Sequence, residues 1–298
     1  MSGGQSPIME EMNPLAQPLR TWYAAMARDL PWRAETTPWG ILVSEVMLQQ
    51  TPATRVIPYW QSWIARWPKP SDLAGADVAD VIRAWGTLGY PRRALRLQEC
   101  ARTIYKQYAG EVPHDEDLLR RLPGVGEYTA AAVAAFAFGK RTVVLDTNIR
   151  RVLARAVGGE ALPGPHLTMP ERAIAADMVP EEPHDALIWN QSTMELGALV
   201  CRVRDPECES CPIMGHCTWR QGGYPGDAHA SARRTQVWQG TNRQARGRIM
   251  AILRTAEEAV PIAAVLAGSW DESQMESAVE TLINDGLIVR DGEALRLP

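Results

Sequence analysis

The sequence predicts an all-α protein, on two observations. Almost every periodic segment carries its apolar residues at the three- and four-residue spacing of a helix. Strand signals are confined to the stretch Leu287–Leu297, where Asp291-Gly292 marks a hairpin. The 298 residues suffice for one large or two to three small domains, and 46% hydrophobic with 22% charged residues is ordinary for a globular chain. No apolar run approaches the ~20 residues of a membrane span and no signal-peptide pattern opens the chain, so a cytoplasmic protein with no membrane partner is expected.

Taken in order, residues 1–13 are expected to form a disordered tail. A first helix follows over Pro14–Asp29, then a loop through LPWR (30–33) and ETTPWG (35–40), and a second helix over Ile41–Gln50. Thr51-Pro52 reads as the N-cap and first-turn proline of a third helix, Ala53–Trp67. There Ile57, Trp60, Ile64 and Trp67 recur at helical spacing, which suits a core better than a base-stacking platform. Ser71 is placed as the cap of a short helix, Ala76–Trp85 forms the next, and GTLGYP (86–91) is a tight loop. Arg92–Tyr108 is a basic amphipathic helix with Cys100 as an inert core thiol.

The stretch 115–146, DEDLLRRLPGVGEYTAAAVAAFAFGKRTVVLD, reads as two helices joined by a glycine hairpin. Leu118, Leu119 and Leu122 form the apolar face of the first, and Pro123 ends it. Gly124 and Gly126 permit positive φ on either side of Val125, so that backbone N–H groups can converge on an anion. Glu127 opens the second helix, whose run Ala130–Phe138 is apolar enough to be buried all round. This hairpin is either plain core or a phosphate cradle. Helices over Ile149–Val157, Glu171–Met178 and His184–Val200 lead into the cysteines. Gly222–Gln239 reads as a linker. The last 59 residues read as a separate module: helices at Arg243–Ala256, Ile262–Ala267 and Ser273–Asp285, then two short strands. That order is winged-helix-like. Its six arginines against nine acidic residues leave −3, which favours docking to another protein, or a structural role, over groove reading.

Cys201, Cys208, Cys211 and Cys217 stand at C-x6-C-x2-C-x5-C, a thiolate density that fits one zinc ion or one [4Fe–4S] cluster. Glu45 falls among Ile41, Leu42 and Leu48 on an expected apolar helix face, where desolvation raises a carboxyl pKa and suits it to general acid work; an internal ion pair is the other reading. Asp146 follows Val143-Val144-Leu145 and precedes a helix, whose N-terminus is expected to keep it ionised. Simple N-capping is its alternative. Two carboxyls with opposed pKa values are the arrangement expected for cleaving a glycosidic bond. The net charge of −4 lends no support to a nucleic-acid partner, and the 28 arginines against three lysines fit phosphate contacts or a coding bias alike.

Together LPGVGEYTA (122–130), VVLDTNIRRVLAR (143–155) and the cysteine motif resemble the helix-hairpin-helix DNA glycosylases of the endonuclease III superfamily, over about residues 18–220. LPWR (30–33), EVMLQQT (45–51) and LGYPRRA (88–94) are similar to its adenine (MutY-type) branch. The resemblance implies a six-helix barrel with the hairpin over 38–140 and an iron–sulfur lobe from 14–37 with 141–221. It implies Glu45 as the acid that protonates N7 of adenine and Asp146 as the carboxylate that stabilises or attacks C1′. Tyr128 stands where bifunctional relatives carry a Schiff-base lysine; a phenol forms no imine, so a monofunctional hydrolase is expected. Tyr128 and Asn148 are implied to position Asp146 and the sugar. Gln50, Thr51, Leu88 and Tyr90 are implied to wedge into the duplex and contact the estranged 8-oxoguanine or guanine. Trp32 and Arg33 line the implied adenine pocket, and Gly124, Val125 and Gly126 grip the DNA backbone.

The implied cofactor is a [4Fe–4S] cluster, with zinc the alternative. The implied partner is double-stranded DNA with a mispaired adenine, bound by a nucleoid-associated monomer. The branch's usual Nudix-like C-terminal domain needs more than 59 residues, so the tail is expected to lack it. Glu127 is an odd neighbour for a phosphate, and Thr147 stands where many relatives have glycine. Two rival readings stay open: thymine or uracil removal opposite guanine, and a non-catalytic DNA-binding protein clasped by a metal cluster.

Overall fold

The computed structural model describes residues 13–34, 36–233, 240–267 and 271–298. Residues 1–12 of the expected tail and the linker residues 234–239 lie outside them, whereas Asn13, expected in that tail, is buried and donates to the Met178 carbonyl at 2.5 Å. The chain runs through α1 (Ala16–Met26), α2 (Pro38–Leu48), α3 (Ala53–Arg66), α4 (Pro70–Ala74) and α5 (Val78–Trp85). It continues through α6 (Arg92–Gln107), α7 (Glu116–Arg120), α8 (Glu127–Phe138), α9 (Thr147–Ala156) and α10 (Met169–Met178). After α11 (Pro183–Leu199) and α12 (Thr218–Gln221) come α13 (Asn242–Thr255), β1 (Val260–Pro261), α14 (Ile262–Leu266), α15 (Glu272–Asn284), β2 (Val289–Asp291) and β3 (Ala294–Arg296). Among the described residues no helix is long and apolar enough to cross a membrane.

Helix positions follow the sequence periodicity, and the differences lie at the ends. Pro52, not Thr51, occupies the N-cap of α3, and the Thr51 hydroxyl turns back to the carbonyls of Gln49 and Leu88. Ser71 lies inside α4, whose start is closed by Asp72 accepting from the Lys69 N–H at 2.9 Å. Helix α7 ends at Arg120, before Pro123 acts. The Gly222–Gln239 stretch is no bare linker in its described part: Trp219 donates to the Pro225 carbonyl and Arg233 pairs with Asp227 at 2.6 Å.

Two compact units form, and the chain crosses between them more than once. Of the described residues, the first comprises 13–29, 114–116 and 126–233; the second comprises 30–34, 36–113, 117–125, 240–267 and 271–298. The first unit therefore takes α8, which the expected boundaries had put with the barrel. Its core joins α1, α8, α9 and α11 through Leu19, Ala132, Ile149, Val152, Trp189 and Leu196. Helix α8 is buried on every side from Thr129 to Ala135, so its small residues admit close helix contact all round.

The second unit holds α2–α6 and the C-terminal module. Helix α2 is buried continuously from Trp39 to Met47. The expected apolar face is thus a whole apolar helix. Trp60 donates to the Gly40 carbonyl at 2.8 Å and Trp39 to that of Trp67 at 3.0 Å, so both indole N–H groups are satisfied. The C-terminal residues adopt the winged-helix order, with an antiparallel sheet β1-β3-β2 whose first strand the sequence pattern had not suggested. This module is not separate. Ala79 and Ile82 of α5 share one core with Ala245, Ile249, Leu253 and Leu282.

Candidate functional site

The candidate residues fall into two sets, one in each unit, and the hairpin is divided between them: Gly124 and Val125 belong to the second unit and Gly126 to the first. In the first unit the set is built on the start of α9. Asp146 is the N-cap: its Oδ1 accepts from the Ile149 N–H at 2.6 Å, and its Oδ2 accepts from the Asn148 side chain at 2.7 Å. The capping reading is therefore correct, and capping also fixes the carboxyl in one orientation. The expected direction of the pKa shift is reversed. Burial pushes the Asp146 pKa above the usual carboxylate range, and the hydrogen bonds from Ile149 and Asn148 oppose that shift without cancelling it.

Asn148 is itself held. Arg151 donates to its Oδ1 at 2.8 Å and to the Gly197 carbonyl at 2.6 Å, while Gly197 lets α11 approach so closely that an added Cβ would lie 2.6 Å from that of Asn148. Tyr128 is half-buried against the same core, on the first turn of α8. Lys140 lies beyond the far end of that helix, ~18 Å along the axis at 1.5 Å per residue. Glu127 does not stand alone at the hairpin: Arg172 binds both its oxygens.

Of the hairpin glycines only Gly124 uses the left-handed region, at φ +79; Gly126 is extended at φ −90, ψ 178. The expectation of positive φ at both positions is corrected to one. Gly126 nonetheless precedes α8 as an N-cap without a side chain, and a Cβ there would meet nothing within 4 Å. Val125 beside it is buried.

The cysteine loop is tied to the same helix that carries Asp146. Cys201, Cys208, Cys211 and Cys217 line one small cavity of about 20 Å³, otherwise walled by apolar side chains and two arginines. Arg155 approaches the Cys201 sulfur at 3.3 Å and stacks on Trp219 at 4.5 Å, and Arg151 donates to the Cys201 carbonyl at 2.7 Å. Burial pushes the Cys211 thiol up to about 12, with the other three cysteines adding to the shift. Four thiolates in such a site need a compensating cation, the requirement a metal centre meets. Among the described residues no three donors are grouped closely enough to be picked out as a site for a single metal ion. Arg151 and Arg155 are site residues that the sequence patterns had not singled out; their spacing of four on α9 was the available signal.

In the second unit Glu45 is 4% exposed, inside the wholly buried α2. Trp32 is buried on a 3₁₀ turn and meets Trp60 edge-on at 6.0 Å; Arg33 beside it is half-buried. Gln50 and Tyr90 are exposed, whereas Thr51 and Leu88 lie buried. Both exposed residues hold the left-handed backbone region, at φ 58 and φ 47, which is costly for any residue but glycine. One side chain holds the two loops together. Arg93 donates to the carbonyls of Val46, Met47, Gln49, Leu88 and Gly89 and to the Thr51 hydroxyl, gathering the open C-terminus of α2 and the 86–91 loop on one guanidinium. Burial lowers its pKa to about 10, which leaves it charged at neutral pH.

Comparison with known proteins fits this arrangement. The description "HhH-GPD superfamily base excision DNA repair protein" matches residues 43–174. The chain is 48% identical over 274 residues to the adenine DNA glycosylase of Mycobacterium tuberculosis, covering 91% of this chain and 89% of that one. It is 41% identical over 214 residues to the adenine DNA glycosylase of Homo sapiens, covering 68% of this chain and 39% of that one. Among solved structures, a thermostable thymine-DNA glycosylase superposes with a TM-score of 0.63 at 29% identity, over 70% of this chain and 96% of its own. The expected fold and branch are borne out: the chain belongs to the adenine DNA glycosylase family of the HhH-GPD superfamily of base excision DNA repair proteins.

Proposed function

We propose that this protein removes adenine mispaired with 8-oxoguanine or guanine from double-stranded DNA, by hydrolysing the N-glycosidic bond without cutting the strand. The observation that carries the reading is the match to adenine DNA glycosylases, which runs through both units. In this reading Glu45, held in a helix that excludes water, delivers a proton to the departing base. The C1′–N bond breaks with its electron pair going to the base, and positive charge grows on the sugar. Asp146, held by Ile149 and Asn148, is proposed as the anion that stabilises that charge. Burial raises the pKa of this carboxyl, and the developing cation opposes that shift by favouring the ionised form. Water then bonds to C1′ and gives up its proton to a carboxylate, leaving an abasic sugar.

Tyr128 offers a hydroxyl where an imine-forming amine would be needed for strand cleavage, which supports hydrolysis alone. Gln50 and Tyr90 are the exposed candidates for the wedge, with Thr51 and Leu88 shaping the loops beneath them. Trp32 and Arg33 are proposed to contact the flipped base, and Gly124, Val125 and Gly126 the backbone phosphate. The donor set of Cys201, Cys208, Cys211 and Cys217 suits a [4Fe–4S] cluster; when bound, it cross-links the 201–217 loop and compensates the thiolate charge.

Single-turnover assays on A·8-oxoguanine, A·G, T·G and U·G duplexes test the reading. Release of adenine from the first two is expected. Activity on T·G alone would overturn it in favour of the thymine reading, to which the likeness to a thymine-DNA glycosylase lends support. Borohydride should trap no covalent adduct. Purified protein should be brown with iron; a colourless protein with stoichiometric zinc would refute the cluster assignment.

A further inference from the structure

The C-terminal module is acidic in sum, yet its charges are sorted. Of its six arginines, Arg243, Arg246, Arg248 and Arg254 lie on α13 and line a groove whose other wall is the 86–96 segment with Arg55. That wall adds Arg92, Arg93 and Arg96, so among the described residues eight guanidiniums line the groove and no acidic side chain does. Asp285 reaches in as partial compensation, pairing with Arg92 at 3.2 Å and Arg246 at 2.5 Å. In a chain of net charge −4 this concentrates positive field in a single cleft.

The groove is held in shape from both sides. The core shared with α5 fixes the module, Arg254 donates to the Gly86 carbonyl, and the Arg243 guanidinium lies 4.4 Å over the ring of Tyr90. Gly247 lines the groove inside α13, where glycine costs about 1 kcal/mol relative to alanine. A Cβ at that position would meet nothing within 4 Å, so packing does not call for the glycine. It leaves a helix backbone bare toward the groove, open to a closely approaching ligand. Exposed Gln50 and Tyr90 line the same groove.

We infer that this groove binds the phosphodiester backbone of DNA beside Gln50 and Tyr90, and that α13 of the winged module supplies half of the site. Guanidiniums match phosphate oxygens in bidentate geometry, and the sorting of charge, not the module's net charge, sets the partner. The inference rests on the reading of Gln50 and Tyr90 as duplex contacts. It replaces the expectation of a protein-docking or merely structural tail.

The test uses the full chain with Arg96→Ala, Arg248→Ala and the double substitution, binding a short duplex over a range of salt. The slope of log affinity against log salt should become shallower by about 0.9 per arginine removed, and by about 1.8 in the double variant. Lysine at both positions should restore the slope. Gly247→Asp places a carboxylate in open space and should weaken binding while leaving the melting temperature near that of the parent. A folded double variant with the parental slope, or a Gly247→Asp protein with parental affinity, would overturn the inference and leave an acidic protein as the better occupant. Base release is measured separately at saturating protein. If the parent releases no adenine but the slope still falls, the groove stands and the adenine reading fails; release with an unchanged slope is the converse.

Discussion

Gly197→Ala probes how tightly the start of α9 must be placed. The new methyl would lie 2.6 Å from the Asn148 Cβ and 3.0 Å from its Cα and carbonyl oxygen. Carbon atoms rest ~3.5–4.0 Å apart, so the two helices must separate by about 1 Å at this point. Overpacking of this kind costs roughly 1–3 kcal/mol. Replacing a helical glycine returns about 1 kcal/mol, leaving a net loss of roughly 0–2 kcal/mol. For a protein of this size that is a drop of about 0–8 °C in Tm. The effect on chemistry should be larger than the effect on stability. Asn148 both binds Asp146 and is gripped by Arg151, so the carboxyl moves with the helix start. A misplacement near 1 Å costs ~100-fold in rate. Single-turnover adenine release should fall by about that factor, while duplex affinity and visible absorption are retained. A folded variant with a rate within about threefold of the parent would refute the reasoning, because the carboxylate would then not need its present position.

Three further substitutions test the site. Glu45→Gln should abolish base release and leave duplex binding largely intact; a near-parental rate would remove Glu45 from the chemistry. Burial raises the Asp146 pKa, so ionising it costs folding energy: the cost is absent below the unfolded carboxylate pKa and grows as pH rises through the raised value. Asp146→Asn should therefore lose base release yet show a flatter decline of Tm from mildly acidic to neutral pH, and a variant less stable than the parent at neutral pH would contradict this. Arg93→Lys should lower Tm and weaken mismatch binding. The three donors of an ammonium cannot serve six acceptors, and each buried carbonyl left unpaired costs about 1–3 kcal/mol; a Tm equal to the parent's would count against the hub.

Much of the helical framework was legible because burial periodicity is local information. Ile149, Val152, Leu153 and Ala156 were readable as one buried face of α9, and the even apolarity of Ala130–Phe138 announced an enclosed helix, which holds as far as Ala135 while residues 136–138 are half-buried. Periodicity tells which face is buried and not against what. Hence the module's core, shared with Ala79 and Ile82 of α5, was not readable. Arg93 looked like one arginine of a basic helix; its value comes from carbonyls up to 47 residues away. The pKa direction of Asp146 also depended on tertiary surroundings, since the capping geometry argued for ionisation and burial outweighed it. Net charge hid the module's arginine-lined groove, because charges that mix along the chain are sorted in space.

The left-handed backbone at Gln50 and Tyr90 bears on how this protein could be improved or damaged. Each costs about 1–2 kcal/mol that a glycine would not incur. A library selected only for survival on heating would thus be drawn to glycine at both sites, and the resulting proteins would be sturdier. They would also lack the two side chains that project from the loops. In the proposed reading, where Gln50 and Tyr90 contact the mismatch, directed evolution must score heat resistance and mismatch discrimination in the same pool, because the two demands then pull these positions in opposite directions.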